Sequence, residues 1–172
     1  MENNIKVFEK EYEIHYYEVD YRKKALLTSI VEFLGDIATC QSEQLGVGMD
    51  FLNENKFAWV LYKWNIEIKQ YPKYGDKIII KTWPYSFKKF YAYRKFEIYN
   101  SNGEVIGIAD SIWFLISTER RRPVRIPENI YNSYGINILN NTGIEIEDIK
   151  KQENISIEKS FDFHPTPRAN SK

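Results

Sequence analysis

A single cysteine, Cys40, among 172 residues excludes an intramolecular disulfide framework and fits a reducing compartment. No run of about 18 apolar residues occurs, which rules out a membrane-spanning helix on length alone. The segment from Met1 to Glu11 is charged and Asn-rich and lacks the apolar stretch that a secretory signal needs. An excess of charge is missing too. Lys plus Arg and Asp plus Glu number 24 each, so no overall field draws the chain toward nucleic acid or anionic lipid. The two histidines, His15 and His164, lie far apart without a second ligand type nearby, so neither a metal nor another cofactor is expected. These absences point to a cytoplasmic protein whose partners must be sought in local patches.

What the chain has in plenty is aromatic rings: ten Phe, thirteen Tyr and four Trp. Most are expected in an ordinary core. The hydrophobic pattern sets out the elements. Phe8 to Val19 alternates apolar and charged residues, the period of a half-buried strand. Ser29 with Glu32 makes a capping-box pattern, and Ile30, Phe33, Leu34, Ile37, Ala38 and Leu45 follow helical spacing up to Gly46, predicting a helix over Ser29 to Leu45. One helical turn is expected at Met49 to Glu54. Strands follow at Phe57 to Gln70, Lys77 to Trp83, Phe90 to Tyr99 and Glu104 to Ser117, with reversals at Tyr71 to Asp76 and Asn100 to Gly103. Along the first of these, Ala58, Val60, Tyr62, Trp64, Ile66 and Ile68 are expected to share one face. Glu128 to Tyr134 reads as a short helix begun by Pro127. One long helix with five antiparallel strands is an α+β arrangement, a curved sheet around a central helix.

Residues 137–154 have no steady period and read as a linker. Beyond it, Glu158 to His164 resembles Glu9 to His15, as if the first strand of a duplicated domain were restarting. The expected layout is one domain over 1–135, a linker over 136–154 and the opening of a second domain over 155–172.

Gln70-Tyr71-Pro72-Lys73-Tyr74-Gly75-Asp76 followed by Lys77 to Trp83 resembles the Pro-x-x-Gly-Asp turn and strand of hotdog thioesterases. Ser111 to Ile116 with Arg121-Arg122-Pro123-Val124-Arg125-Ile126-Pro127, and Tyr17-Glu18-Val19-Asp20 ahead of the helix, are similar to the acyl-carrier-protein thioesterase family in particular. The likeness runs from about Lys10 to Pro127. It implies a hotdog fold, and hydrolysis of the thioester between a fatty acyl chain and a carrier protein in fatty acid biosynthesis, with water and no metal. Members of that family carry two tandem hotdog domains, the first shaping the acyl pocket and the second supplying catalytic Asp, Asn and His. This sequence departs there: Pro165 to Lys172 contains no Asp-x-Asn-x-His run, and Asp20 to Leu27 keeps the Asp alone. No catalytic residue is therefore assigned.

The resemblance implies an acyl tunnel between helix and sheet, with Phe33, Ile37, Trp59 and Leu61 as candidate substrate-binding residues. The basic run Arg120, Arg121, Arg122 and Arg125 is either a docking patch for an acidic acyl carrier protein or a solvated loop pairing with Glu145, Glu147 and Asp148. Asp20 reads as a hydrogen-bonding residue at a strand end, His15 as a solvent-side residue and Cys40 as a buried inert thiol without a basic neighbour in the local sequence. Asp110 interrupts an apolar face and takes Arg94 as its expected partner. Three functions stay open: a thioesterase-lineage chain without its catalytic half, a non-enzymatic acyl- or carrier-binding module, and a single-stranded nucleic-acid binder, against which the even charge balance counts. An unpaired hotdog sheet edge also predicts a homodimer.

Overall fold

The computed structural model describes residues 4–136, so the linker and the restarting strand fall outside the described residues. The chain runs β1 (Phe8–Glu13), α1 (Leu27–Gln44), α2 (Met49–Glu54), β2 (Phe57–Ile68), β3 (Lys77–Lys88), β4 (Tyr91–Tyr99), β5 (Val105–Ser117), β6 (Arg122–Pro123) and α3 (Glu128–Ser133). All pairings are antiparallel, in the order β1-β3-β4-β5-β2, with β6 added to the end of β5. β2 pairs with β5 alone, which leaves its other side as a free edge among the described residues.

Helix α1 packs against the inner face of this sheet through the residues that its periodicity set apart. Ile30, Phe33, Leu34 and Ile37 join Ile78 and Ile80 of β3, Phe96 and Ile98 of β4, and Ala109 of β5 in one cluster. The expected embrace of helix by sheet is present. A second cluster fills the other end, where Phe87, Ala92 and Leu115 meet Ile126, Ile130 and Tyr134 around α3. Burial of these side chains supplies the main drive for the fold, about 1.5–3 kcal/mol for each large one.

Local chemistry moves several boundaries. The first strand ends at Glu13, because the Glu18 carboxylate accepts the His15 N–H at 2.7 Å and draws the chain into a 3-10 turn over Tyr16–Glu18. Helix α1 starts two residues early, with Leu26 at its N-cap and no side-chain cap. Ser29 lies buried inside the first turn rather than capping it. Gly46 takes φ +73° just past the helix end, a conformation that favours glycine. β3 continues through Pro84 to Lys88 because its register with β4 breaks between Pro84 and Ser86, and a bulge tolerates the missing N–H of proline.

A second bulge redistributes the faces of β2. Leu61 pairs with Trp113 and Lys63 with Ile112, so Tyr62 is an extra residue. Beyond it the alternation inverts, and Trp59 and Leu61 share the inner face with Trp64, Ile66 and Ile68. The face expected from a regular strand is thus split in two at Tyr62.

The expected Asp110–Arg94 pair is absent. Register places Arg94 opposite Ser111 and Asp110 opposite Lys95, on opposite faces of the sheet. Asp110 Oδ1 is buried without a hydrogen bond to a described residue. Burial and the neighbouring Asp110 carboxylate push the Tyr85 phenol up to about 12.

Candidate functional site

Between the C-terminal half of α1 and the inner face of the sheet lies a cavity of about 360 Å³, within the range of roughly 300–1,000 Å³ typical of small-molecule pockets. Its existence follows from side-chain size. Helix α1 presents Gly35, Ala38, Thr39 and Ser42 to it, a stripe at i, i+3, i+4 and i+7 that carries too little bulk to reach the sheet. The opposite walls are apolar and large: Leu52, Phe57, Trp59, Phe87 and Trp113. Ser42 Oγ and Tyr134 Oη lie 2.6 Å apart, which ties α1 to the segment after α3 at the cavity wall.

One charge stands in that wall. Arg94 of β4 is 7 % exposed, and its Nη1 donates to Gln41 Oε1 at 2.6 Å and Thr82 Oγ1 at 3.0 Å. Gln41 Nε2 in turn donates to the Lys6 carbonyl at 2.7 Å, so a polar line crosses the interior from the N-terminal segment through α1 to β3 and β4. Sequence periodicity missed it. Gln41 falls on the apolar stripe of α1 one turn after Ile37, and a polar residue at a core position was the available signal.

Of the four pocket candidates, Trp59 lines the cavity. Phe33 and Ile37, at 9 % and 0 % exposure, pack in the cluster around α1. Leu61 points to the same sheet face but is 39 % exposed. The structure therefore brings Trp59 together with Phe57, Trp113 and Phe87, and sets the other three apart from the cavity wall.

The arginines 120, 121, 122 and 125 are all exposed, in the turn after β5 and along β6, with Arg121 at φ 49°. None forms an ion pair with a described residue. Asp20 Oδ1 accepts the N–H groups of Arg22 at 2.8 Å and Lys24 at 3.0 Å, the structural role that its position suggested. His15 is exposed, stacks on Tyr17 and lies 3.2 Å from Glu18 Oε2. Cys40 does have a basic neighbour: Lys10 reaches from β1 to 3.4 Å from its Sγ. Lys10 also bonds Asp36 Oδ2 at 2.6 Å, as does the Tyr12 hydroxyl. No group of three or more His, Cys, Asp or Glu suited to a metal occurs among the described residues.

Residues 5–134 match the family model for the acyl-ACP thioesterase N-terminal domain. The chain belongs to the acyl-ACP thioesterase family. Oleoyl-acyl carrier protein thioesterase 1, chloroplastic, from Arabidopsis thaliana is 25% identical over 134 residues, 74% of this chain and 37% of that protein. The chloroplastic dodecanoyl-[acyl-carrier-protein] hydrolase of Cinnamomum camphora is 22% identical over 157 residues, 87% of this chain and 41% of that one. The chain thus spans well under half the length of these curated relatives. Among solved structures, an acyl-ACP thioesterase from Bacteroides thetaiotaomicron superposes with a TM-score of 0.71 at 22% identity, covering 94% of this chain and 60% of that one. The 12:0-ACP thioesterase of Umbellularia californica gives 0.66 at 20%, covering 75% and 52%. The fold is the α+β hotdog that the sequence motifs implied. No helix among the described residues is long and apolar enough to cross a membrane.

Proposed function

We propose that this chain supplies the acyl-binding half of an acyl-carrier-protein thioesterase. The observation that carries the reading is the apolar cavity between α1 and the inner sheet face, in a domain matched by the family over residues 5–134. Its aromatic walls suit an alkyl chain, which gains about 0.8 kcal/mol per methylene buried. The substrate would be a fatty acyl thioester of a carrier protein, consistent with the printed names of the relatives. Hydrolysis needs a base and an oriented water beside the thioester carbonyl. The Asp-x-Asn-x-His run implied by the family does not occur in the sequence given. By itself the chain therefore binds and does not turn over.

Domain layout follows the same proposal: an acyl-binding hotdog over 1–135, a linker over 136–154 and the start of a second hotdog over 155–172. The exposed arginines at 120, 121, 122 and 125 would dock the acidic carrier. Cytoplasmic residence is supported by the lone Cys40 and even charge, whereas the plant relatives carry chloroplastic names.

The test is to titrate purified chain with dodecanoyl-carrier protein while following free thiol release. Binding without thiol release is expected. Turnover at a complete enzyme's rate would refute the missing-half reading, and absence of binding would refute the acyl-binding reading itself.

A further inference from the structure

Arg94 is the sole charged side chain among the residues lining the cavity. Both of its hydrogen bonds leave from Nη1 and both end on neutral oxygens, those of Gln41 and Thr82. Its guanidinium carbon lies 5.5 Å from the centroid of the Tyr134 ring, itself part of the cavity wall. None of the ion pairs among the described residues includes it. A guanidinium carries five N–H donors and stays protonated in proteins, so the Nε and Nη2 donors have no acceptor among the described residues. Desolvation pulls its pKa below the ordinary arginine value, with only the Tyr134 phenol opposing. A buried cation without a counter-ion is costly, and a structural link between Gln41 and Thr82 needs no charge. The cavity beside it offers room for the missing anion.

Building on the acyl-binding reading, we infer that the cavity takes an alkyl chain ending in a carboxylate, with that carboxylate paired to Arg94. The aromatic walls select the chain, and the planar fork of guanidinium donors matches the two carboxylate oxygens in a bidentate pair. Pairing also returns to Arg94 the partner that burial denies it. The same chemistry has two sources. One is a free fatty acid held head-inward; the other is the far carboxylate of a dicarboxylic acyl thioester, whose thioester end then points to the mouth.

The experiment is calorimetric titration of the full chain with two matched pairs: decanoate against decan-1-ol, and the N-acetylcysteamine thioester of sebacic acid against that of decanoic acid. The acid member of at least one pair is expected to bind about tenfold or more tightly than its neutral mate. Preference within the first pair identifies the free acid, and within the second the dicarboxylic thioester. Arg94→Met should abolish the preference while keeping the neutral affinity, and Arg94→Lys should restore part of it. Equal binding within both pairs overturns this inference and leaves the acyl-binding reading standing; no binding by any of the four ligands defeats both. Should Arg94→Met fail to fold, carboxyl-labelled [1-13C]decanoate bound to the unaltered chain decides for the free acid. Its carboxylate should titrate below its value free in solution, and an unshifted titration together with equal binding in the thioester pair overturns the inference.

Discussion

Replacing Ala38 by Leu tests whether the small-residue stripe of α1 sets the depth of the cavity. Ala38 lines the cavity, and leucine adds three carbons directed into it. Both residues are strong helix formers, so α1 itself should tolerate the change. Each methylene of ligand displaced from apolar surroundings forfeits about 0.8 kcal/mol. An acyl chain long enough to fill the cavity therefore loses about 2.4 kcal/mol, a factor of roughly fifty in affinity. A chain three carbons shorter leaves that space empty and loses almost nothing. Trp59 and Trp113 stand in the wall, so their fluorescence reports occupancy directly. The decisive quantity is the ratio of the two losses. If long and short chains weaken by the same factor, Ala38 does not bound the alkyl site and the cavity assignment is wrong.

Further outcomes follow from other parts of the molecule. Ile37→Ala removes a fully buried side chain between helix and sheet and should cost about 2–5 kcal/mol in denaturant unfolding; a loss under about 1 kcal/mol would contradict the packing described. For Asp36, desolvation pushes the carboxyl upward, but the hydrogen bonds from Lys10 and Tyr12 together outweigh it and hold the pKa below the usual range. The stabilisation from this half-exposed group is complete above the unfolded carboxylate range and fades as pH falls through the depressed folded value. Asp36→Asn should therefore flatten the acid limb of the stability curve, and an unchanged limb would refute the network. Reversing Arg120 and Arg122 to Glu should weaken binding of an acidic carrier and reduce its salt dependence; unaltered affinity would reject the docking patch. The unpaired side of β2 should give a homodimer by sedimentation, and a strict monomer from micromolar to millimolar concentration would count against that edge.

The architecture was legible because its main signals are periodic. The α1 stripe, the turn at Asn100 to Gly103 and the strand order each rest on local rules, and the helix does sit in the curve of the sheet. The turn is typical: the Asn100 side chain accepts the N–H groups of Asn102 and Glu104 at 3.0 Å each, while Gly103 takes φ +79°. Faces were harder to read. Periodicity assigns a side by counting residues, and a single bulge at Tyr62 reverses every later assignment on β2. The Asp110–Arg94 pairing failed through the same arithmetic, since a cross-strand pair needs the register and not just adjacent strands.

The cavity was illegible for a different reason. Apolar residues mark where a core forms, whereas a void is made by residues too small to fill one, and Gly35, Ala38 and Ser42 carry no hydrophobic signal of their own. Sequence reasoning therefore nominated Phe33 and Ile37, the bulky face of α1, although the cavity opens on the face beside them. Arg94 was missed similarly, as one cation in an alternating strand. Only the sheet shows that its neighbours on that face are Thr82 and Ser111. The same comparison makes the buried charge informative: a core that needed only a tether between α1 and β3 would be served by neutral groups such as Gln41 and Thr82, which are already there. A guanidinium added to them, in the wall of an apolar cavity, calls for an anion from outside the chain.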